Sequence, residues 1–239
     1  MTPTLALIEQ LQEFETALVA EAMTAMGVKN TEQYYTGSDV RQLTPGAELM
    51  VGVAITLVAD TCTTKKKADT DGMWEFYEMA RKSALPVVAV MKSIGSDPRR
   101  ECMLGDGMAK IFKTSGCCGL VSDGGARDLE RINKVGFTVF GSGTVSNHSA
   151  LIYQLAKEPI TVSGVTFTNG ALLCGDHDGI LVIPPECHAG LVEACILSRD
   201  IETRCHCFLR RTDKSPEEKR KYLAKAYEVH LKKCAALLG

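Results

Sequence analysis

The chain has almost no net charge to offer. Its 27 basic and 29 acidic side chains leave a formal charge of −2, so the overall balance gives no reason to expect a nucleic-acid or membrane surface. No apolar run approaches the roughly 20 residues that a membrane span needs. The start, MTPTLALIEQLQEFE, has no basic n-region and carries acids early, so a signal peptide is not expected. Internal repeats and low-complexity stretches are also missing from the sequence. The ten cysteines lack the paired C-x2–4-C spacing of structural zinc sites, which leaves Cys205–His206–Cys207 and Cys187–His188 with little weight as ligands. Without a secretory signal, reduced thiols in the cytosol are the expectation.

What is present suits a soluble globular fold. The chain has 239 residues, 45% hydrophobic and 23% charged, enough length for one domain with a substantial core. Leu5, Ile8, Leu11, Leu18, Ala22 and Met26 repeat at helical spacing, and Gly27 stops the run. Residues 28–46 are loop-rich, with Gly37, Pro45 and Gly46; Tyr34–Tyr35 there suit a pocket lid or an oligomer contact. Val51 to Val58 reads as a buried strand. Thr61 to Asp71 is polar and holds Lys65–Lys66–Lys67, a solvated loop or an attractor for an acidic substrate. Met73 to Lys82 fits a helix that Trp74, Phe76 and Tyr77 pack down. Pro86 opens a strand over 87–91, and Ser93 to Arg100 is a loop, with Glu101 a possible third acid near the helix that follows.

The stretch Gly105 to Asp128 organises the chain. Two of its carboxylates, Asp106 and Asp128, precede and follow a helix and strand, and it also holds an arginine and five glycines besides Gly105. Met108, Ile111 and Phe112 mark one helix face, and Asp106 stands where an N-cap would, so a structural role competes with a functional one. The amides of 105–108 would be free, at the end of a helix dipole that favours an anion, and Gly105 and Gly107 leave room for a ligand to approach. Cys117 to Val121 reads as a buried strand ended by an Asp123–Gly124–Gly125 turn. Arg127 and Asp128 then sit at a strand C-terminus, where α/β sheets gather ligands; Asp128 is also placed to cap a helix over 129–134. Further strands are expected at 137–140, 160–167, 171–174 and 180–183, with His177 between Asp176 and Asp178 in a turn whose acids either bind or simply cap amides. Cys187–Leu209 and Lys214–Leu238 read as helices, the second opened by Ser215–Pro216–Glu217–Glu218.

Two carboxylates with waters suit a hard cation such as Mg²⁺ or Mn²⁺, which would polarise a ketone as a Lewis acid. Arg127 can grip a carboxylate bidentately. With the helix amides, such parts would stabilise an enolate beside a carboxylate, a pyruvate-type species.

These residues resemble a known family. GDGMA at 105–109 and GLVSDGGARD at 119–128 are similar to the signature of the regulator of ribonuclease activity A (RraA) family, which includes the class II 4-hydroxy-4-methyl-2-oxoglutarate aldolases. The resemblance covers about residues 12–205. ETALVAEAM, ending at Met23, is similar to the family's N-terminal segment, with Glu21 where Asp is usual. PGAELMVGVAITL at 45–57 and CGDHDGILVIP at 174–184 also match, and Ala126 replaces a common Val. The resemblance implies a swivelling β/β/α-type α/β domain over 1–209, with 210–239 as a C-terminal helical extension suited to an oligomer contact. It implies that Asp128 binds the divalent ion directly, that Asp106 acts through metal-held water, and that Arg127 contacts the 2-oxo acid. The backbone of Gly105, Asp106, Gly107 and Met108 would hold the substrate. An acid of the Cys187–Leu209 helix, matched here to Glu202, would reach the metal of a neighbouring subunit in a homotrimer or homohexamer. The implied reaction is retro-aldol cleavage of a 4-hydroxy-2-oxo acid, or oxaloacetate decarboxylation, through a pyruvate enolate held at the metal. Lys110 and Lys113 remain surface residues, since no Schiff base is required. Two alternatives stand beside this one: a non-catalytic protein that binds and regulates a ribonuclease or other enzyme, and another keto-acid or sugar-acid lyase.

Overall fold

The computed structural model describes residues 2–45 and 49–238. Gly46, read above as part of a loop, lies outside the described residues, as do the two residues after it. In chain order the strands are β1 (Arg41–Gln42), β2 (Met50–Asp60), β3 (Val87–Ser93), β4 (Cys102–Leu104), β5 (Cys117–Ser122), β6 (Gly125–Ala126), β7 (Thr138–Gly141), β8 (Ile152–Leu155), β9 (Ile160–Val162), β10 (Val165–Phe167), β11 (Leu172–Asp176) and β12 (Gly179–Ile183). The helices are α1 (Leu5–Leu11), α2 (Thr16–Met26), α3 (Asp71–Lys82), α4 (Asp106–Thr114), α5 (Leu129–Val135), α6 (Leu191–Leu209) and α7 (Pro216–Ala235).

β2, β3, β5 and β7 lie side by side and parallel, joined through α3, α4 and α5. β1 adds antiparallel to β7, and β11 then β12 extend the other side. β2 is long enough to serve two neighbours on one edge: its first half pairs with β11 and its second half with β8.

Side chains on a strand alternate between faces, and both faces of this sheet are covered. Val51, Val53, Ile55, Leu57 and Ala59 of β2 join the core beneath the helices, with Ile8, Val19, Phe76 and Phe112. Met50 and Ala54 join Val162, Val165 and Phe167 on the opposite face, where the β9–β10 hairpin lies. Burial on both sides explains why β2 and β3 read as nearly unbroken apolar runs. The result is the mixed β/β/α layering that the resemblance implies.

Several elements differ from the sequence expectation. Residues 160–167 form two short strands, because Ser163 and Gly164 turn through positive φ. Of the three aromatics expected to pack α3 down, Phe76 does so and is fully buried, whereas Trp74 is 51% exposed. α6 begins at Leu191, after a 3-10 turn over Pro185–Cys187. β4, β6 and β8 were not anticipated. The start of α7 is as read: the Ser215 hydroxyl accepts from the Glu218 amide, the Glu218 carboxylate accepts from Ser215, and Pro216 opens the helix. No helix among the described residues is long and apolar enough to cross a membrane.

α2, α6 and α7 pack on one another. At their junction Glu21 of α2 and Glu202 of α6 share a hydrogen bond, and Tyr227 and Cys205 lie close by. Burial first, and then the Glu202 carboxyl, push Glu21 up to about 7. Two carboxyls in contact favour one proton between them.

Two outcomes are expected. The Phe112 ring is fully buried, with ring centres 4.5 Å from Phe76 and 6.5 Å from Phe137. Phe112→Ala should therefore lose about 3–5 kcal/mol in urea unfolding; a loss under about 1 kcal/mol would contradict this packing. For Glu21, a raised folded pKa means that its stabilising share is complete below the ordinary carboxyl range and fades as pH rises through about 7. Glu21→Gln keeps a neutral partner for Glu202, so its melting temperature should gain on the wild type between pH 5 and pH 8. A difference that stays constant with pH would remove the shared proton.

Candidate functional site

β4 and β6 are short strands at the rim where the central strands end. They pair in parallel: the Gly125 amide donates to the Glu101 carbonyl and the Arg127 amide to the Leu104 carbonyl, each at 2.9 Å. These bonds set Gly105 against the Arg127–Asp128 pair. Gly105 is extended (φ −124°, ψ 177°) and is itself the N-cap of α4. A Cβ there would lie 3.3 Å from both Arg127 Nε and Asp128 Oδ2, tighter than a methyl group sits comfortably. Glycine is what lets the main chain approach both side chains.

Asp128 takes a left-handed backbone (φ 58°, ψ 28°) and is the N-cap residue of α5, yet its side chain makes no capping bond. Its carbonyl accepts from Arg131 and Ile132. The carboxylate is left beside Arg127, with Oδ2 3.6 Å from Nε, and both side chains are about one-third exposed (33% and 36%). A carboxylate positioned by the backbone but unused by the helix is free to take a ligand.

Asp106 is the first residue of α4 and not its cap, which corrects the expected start by one residue. Its carboxylate binds Lys110 Nζ at 2.8 Å. The bond from Lys110 holds Asp106 below the usual carboxylate range, with smaller help from Arg131 and the Gly107 amide. The first turn of α4 is open, since a Cβ on Gly107 would meet nothing within 4 Å. Met108 is half-buried and packs onto the helix-side core. The structure thus brings Gly105, Arg127 and Asp128 together at the mouth of α4, while the Asp106 carboxylate is drawn to Lys110. Glu202 lies on α6 beside Glu21.

The remaining acids of the rim are engaged. Asp123 accepts from the Ser93 amide at 2.8 Å and pairs with Lys92, so the turn residue also ties down the end of β3. Glu101 is fully buried and accepts from the Thr61 amide and hydroxyl and from the Cys62 thiol. Asp60 is also fully buried. Burial works to raise its pKa, but bonds from Lys66 and Thr63 outweigh that and leave it lowered. Lys66, in the middle of the lysine run, therefore serves Asp60. Asp60, Cys62 and Glu101 bring their ligand atoms within 4.8 Å of one another. Their oxygens already have donors, and a thiol suits a softer ion than Mg²⁺, so Asp128 with open space before α4 fits a hard cation better. At the β11–β12 turn, Asp176 accepts from the Thr16 and Asp178 amides, the capping role weighed for that cluster. Cys205 is buried while Cys207 is exposed: two residues apart on α6, they face opposite ways and cannot share an ion.

Sequence reasoning missed the loop after β7. The Ala126 amide donates to the Gly143 carbonyl and the Val145 amide to the Ala126 carbonyl, both at 3.0 Å. Farther along, the Ser149 amide donates to the Thr61 carbonyl at 2.7 Å. This puts His148 next to the candidate corner. Small polar residues without periodicity gave no sign of it.

The fold has solved counterparts. An uncharacterized protein from Pseudomonas syringae pv. tomato superposes with TM-score 0.69, at 21% identity over 93% of this chain and 96% of that one. Streptomyces coelicolor RraAS2, described as an unusual member of the RNase ES inhibitor RraA protein family, also gives 0.69, at 23% identity over 86% and 98%. Identities this low speak for the fold alone. Among curated relatives, the "Putative 4-hydroxy-4-methyl-2-oxoglutarate aldolase" of Halalkalibacterium halodurans is 33% identical over 92 residues, 37% of this chain and 44% of the relative. "Protein DlpA" of Legionella pneumophila is 23% identical over 201 residues, 83% of this chain and 31% of the relative. The chain thus spans less than half the length of each of these two curated relatives. The description RraA-like (Aldolase/RraA) matches residues 16–182, and with the corner of Gly105, Arg127 and Asp128 inside that span, the chain belongs to the RraA-like family.

Proposed function

We propose that the protein is a divalent-metal-dependent lyase of 2-oxo acids. It cleaves a 4-hydroxy-2-oxo acid, of the 4-hydroxy-4-methyl-2-oxoglutarate kind, to pyruvate by retro-aldol reaction, and it decarboxylates oxaloacetate. One observation carries this reading: a main chain bare of Cβ faces a guanidinium and a carboxylate that its own helix does not use. The aldolase relative supports the reaction class.

Each residue has a role. Arg127 holds the substrate's C1 carboxylate through its planar fork. The amides at the start of α4 receive oxygen that gains negative charge as the C3–C4 bond breaks. Asp128 would hold Mg²⁺ or Mn²⁺ directly and Asp106 through water, with Glu202 of a neighbouring subunit completing the set in a cytoplasmic homotrimer or homohexamer. Such an ion, when bound, supplies Lewis-acid polarisation of the 2-oxo group. Asp106, kept ionised by Lys110, would accept the C4 hydroxyl proton through water as the C3–C4 bond breaks and return it to C3, which becomes the pyruvate methyl.

A second reading, a non-catalytic protein that binds and regulates another enzyme, draws on the Lys110 bond, which turns the Asp106 carboxylate along its own helix. A third, lysis of another keto or sugar acid, would use the same corner. A panel of 2-oxo acids with Mg²⁺ or Mn²⁺, with and without EDTA, separates all three. Oxaloacetate loss is expected with metal and should stop with EDTA; absence of turnover across the panel would favour the regulator. Asp128→Asn keeps a residue type that tolerates left-handed backbone. It should preserve the melting temperature while cutting the metal-dependent rate by about 100-fold or more. Wild-type rates in that variant would take Asp128 out of the site.

A further inference from the structure

Beside the Arg127 corner lies a cavity of about 120 Å³, bordered by Thr61, Cys62, Arg100, Asn147, His148 and Ser149 among others. Its position is fixed from both ends. One end of its loop is tied to Ala126, the residue before Arg127, and the other to Thr61. Thr61 is in turn locked by Glu101, which accepts from its amide and hydroxyl, and by the Cys102 amide, which donates to that hydroxyl at 2.7 Å. The cavity is therefore a rigid annex of the corner.

Its most informative wall is His148. The Nδ1 atom is fully buried and has no hydrogen-bond partner. Buried polar atoms are nearly always paired, so an exception asks for a reason. With no acceptor within reach of Nδ1, the tautomer that carries its proton on Nε2 is the one that leaves no buried N–H unpaired. The charge of Arg127 reinforces this: burial first, and Arg127 second, lower the pKa of His148 and keep the ring neutral. A neutral imidazole with its proton fixed on Nε2 is a donor of set direction. Arg100 supplies a second donor at the same cavity, with a permanent charge. Two donors and a volume of a few atoms suit a carboxylate.

We propose that His148 and Arg100 form a second anion subsite, which takes the distal carboxylate of a 2-oxo dicarboxylic acid whose C1 carboxylate is held at Arg127. This rests on the 2-oxo acid reading of the corner and adds the residues that choose among such acids. The subsite makes no bond and moves no proton; His148 and Arg100 are specificity-determining residues. A monocarboxylate such as pyruvate fills the corner and leaves the annex to water, whereas a dicarboxylate spans both.

The test compares binding and turnover in the full chain with Mg²⁺ present. Dissociation constants for 2-oxoglutarate and pyruvate are measured for wild type, His148→Ala, His148→Gln and Arg100→Gln, alongside oxaloacetate turnover. Wild type should prefer 2-oxoglutarate, and His148→Ala should cut that preference by about tenfold, the size of a lost hydrogen bond to a charged group. For oxaloacetate the loss should appear in KM more than in kcat. His148→Gln restores an N–H near the Nε2 position and should recover most of the preference, which a merely structural role for the ring would not predict. Arg100 is exposed on its loop, so Arg100→Gln should fold normally and lose preference as well; it carries the test if His148→Ala proves unstable. Equal binding of the two acids by wild type, or an unchanged preference in folded His148 and Arg100 variants, would overturn the subsite. Absence of turnover together with an intact, His148-dependent preference would instead overturn the lyase reading and leave the subsite standing.

Discussion

The candidate corner depends on the pairing of β4 with β6, and above all on the bond from the Arg127 amide to the Leu104 carbonyl. Between those residues the chain runs out through α4, under the sheet, and back along β5. The bond closes that excursion, so that the residue after Leu104 meets the residue after Arg127. Because the contact is made by main chain, it constrains few side chains. It does favour residues without a Cβ: one on Gly105 would lie 3.3 Å from both Arg127 Nε and Asp128 Oδ2, and one on Gly125 would lie 2.6 Å from Val145. The central parallel strands make the bond possible by fixing where β5 ends, and their stability comes from apolar burial on both faces.

Around the corner the polar groups divide into two kinds. Asp60, Glu101 and Asp123 are bound by neighbours and hold loops in place: the lysine-rich loop through Lys66, the strand to β4 through Thr61, and the end of β3 through Ser93 and Lys92. Buried carboxylates must be satisfied in this way, since an unpaired buried charge is far costlier than an exposed one. Asp128 and His148 belong to the other kind, with polar atoms that the fold positions without using. A rim built from satisfied acids can hold such groups still, which is what a site needs for prompt, oriented binding.

Much of this was legible from residue order. The doubly buried strands announced themselves as β-branched runs, Gly27 ended α2 where a left-handed residue was needed, and the Ser215 box opened α7. Gly105, Arg127 and Asp128 stood out because glycines and charges rarely crowd together without cause. The misses have physical reasons. β4 and β6 are too short to show a period of two, and their pairing depends on tertiary closure. Asp106 looked like a cap because Asp usually is one, but Gly105 already had the extended backbone and Lys110, four residues on, offered the carboxylate a better partner. Trp74 and Phe76 were expected to pack α3 down together, yet they lie two residues apart on a helix and so face different ways, and only Phe76 reaches the core. His148 carried no signal at all: its neighbours are small and polar, and its meaning arises only when the loop folds against Arg127.

The left-handed turn at Asp128 has one more implication, for how this position can vary. An L-residue with a bulky or branched Cβ is strained there, while Asn and Asp sit in that region more readily than other side chains. Lengthening the acid to glutamate would set the reach of the longer arm against a backbone that disfavours it. Chirality at one α-carbon thus narrows the anionic choices at the corner to the shorter acid, whatever reach a longer one would offer the chemistry there.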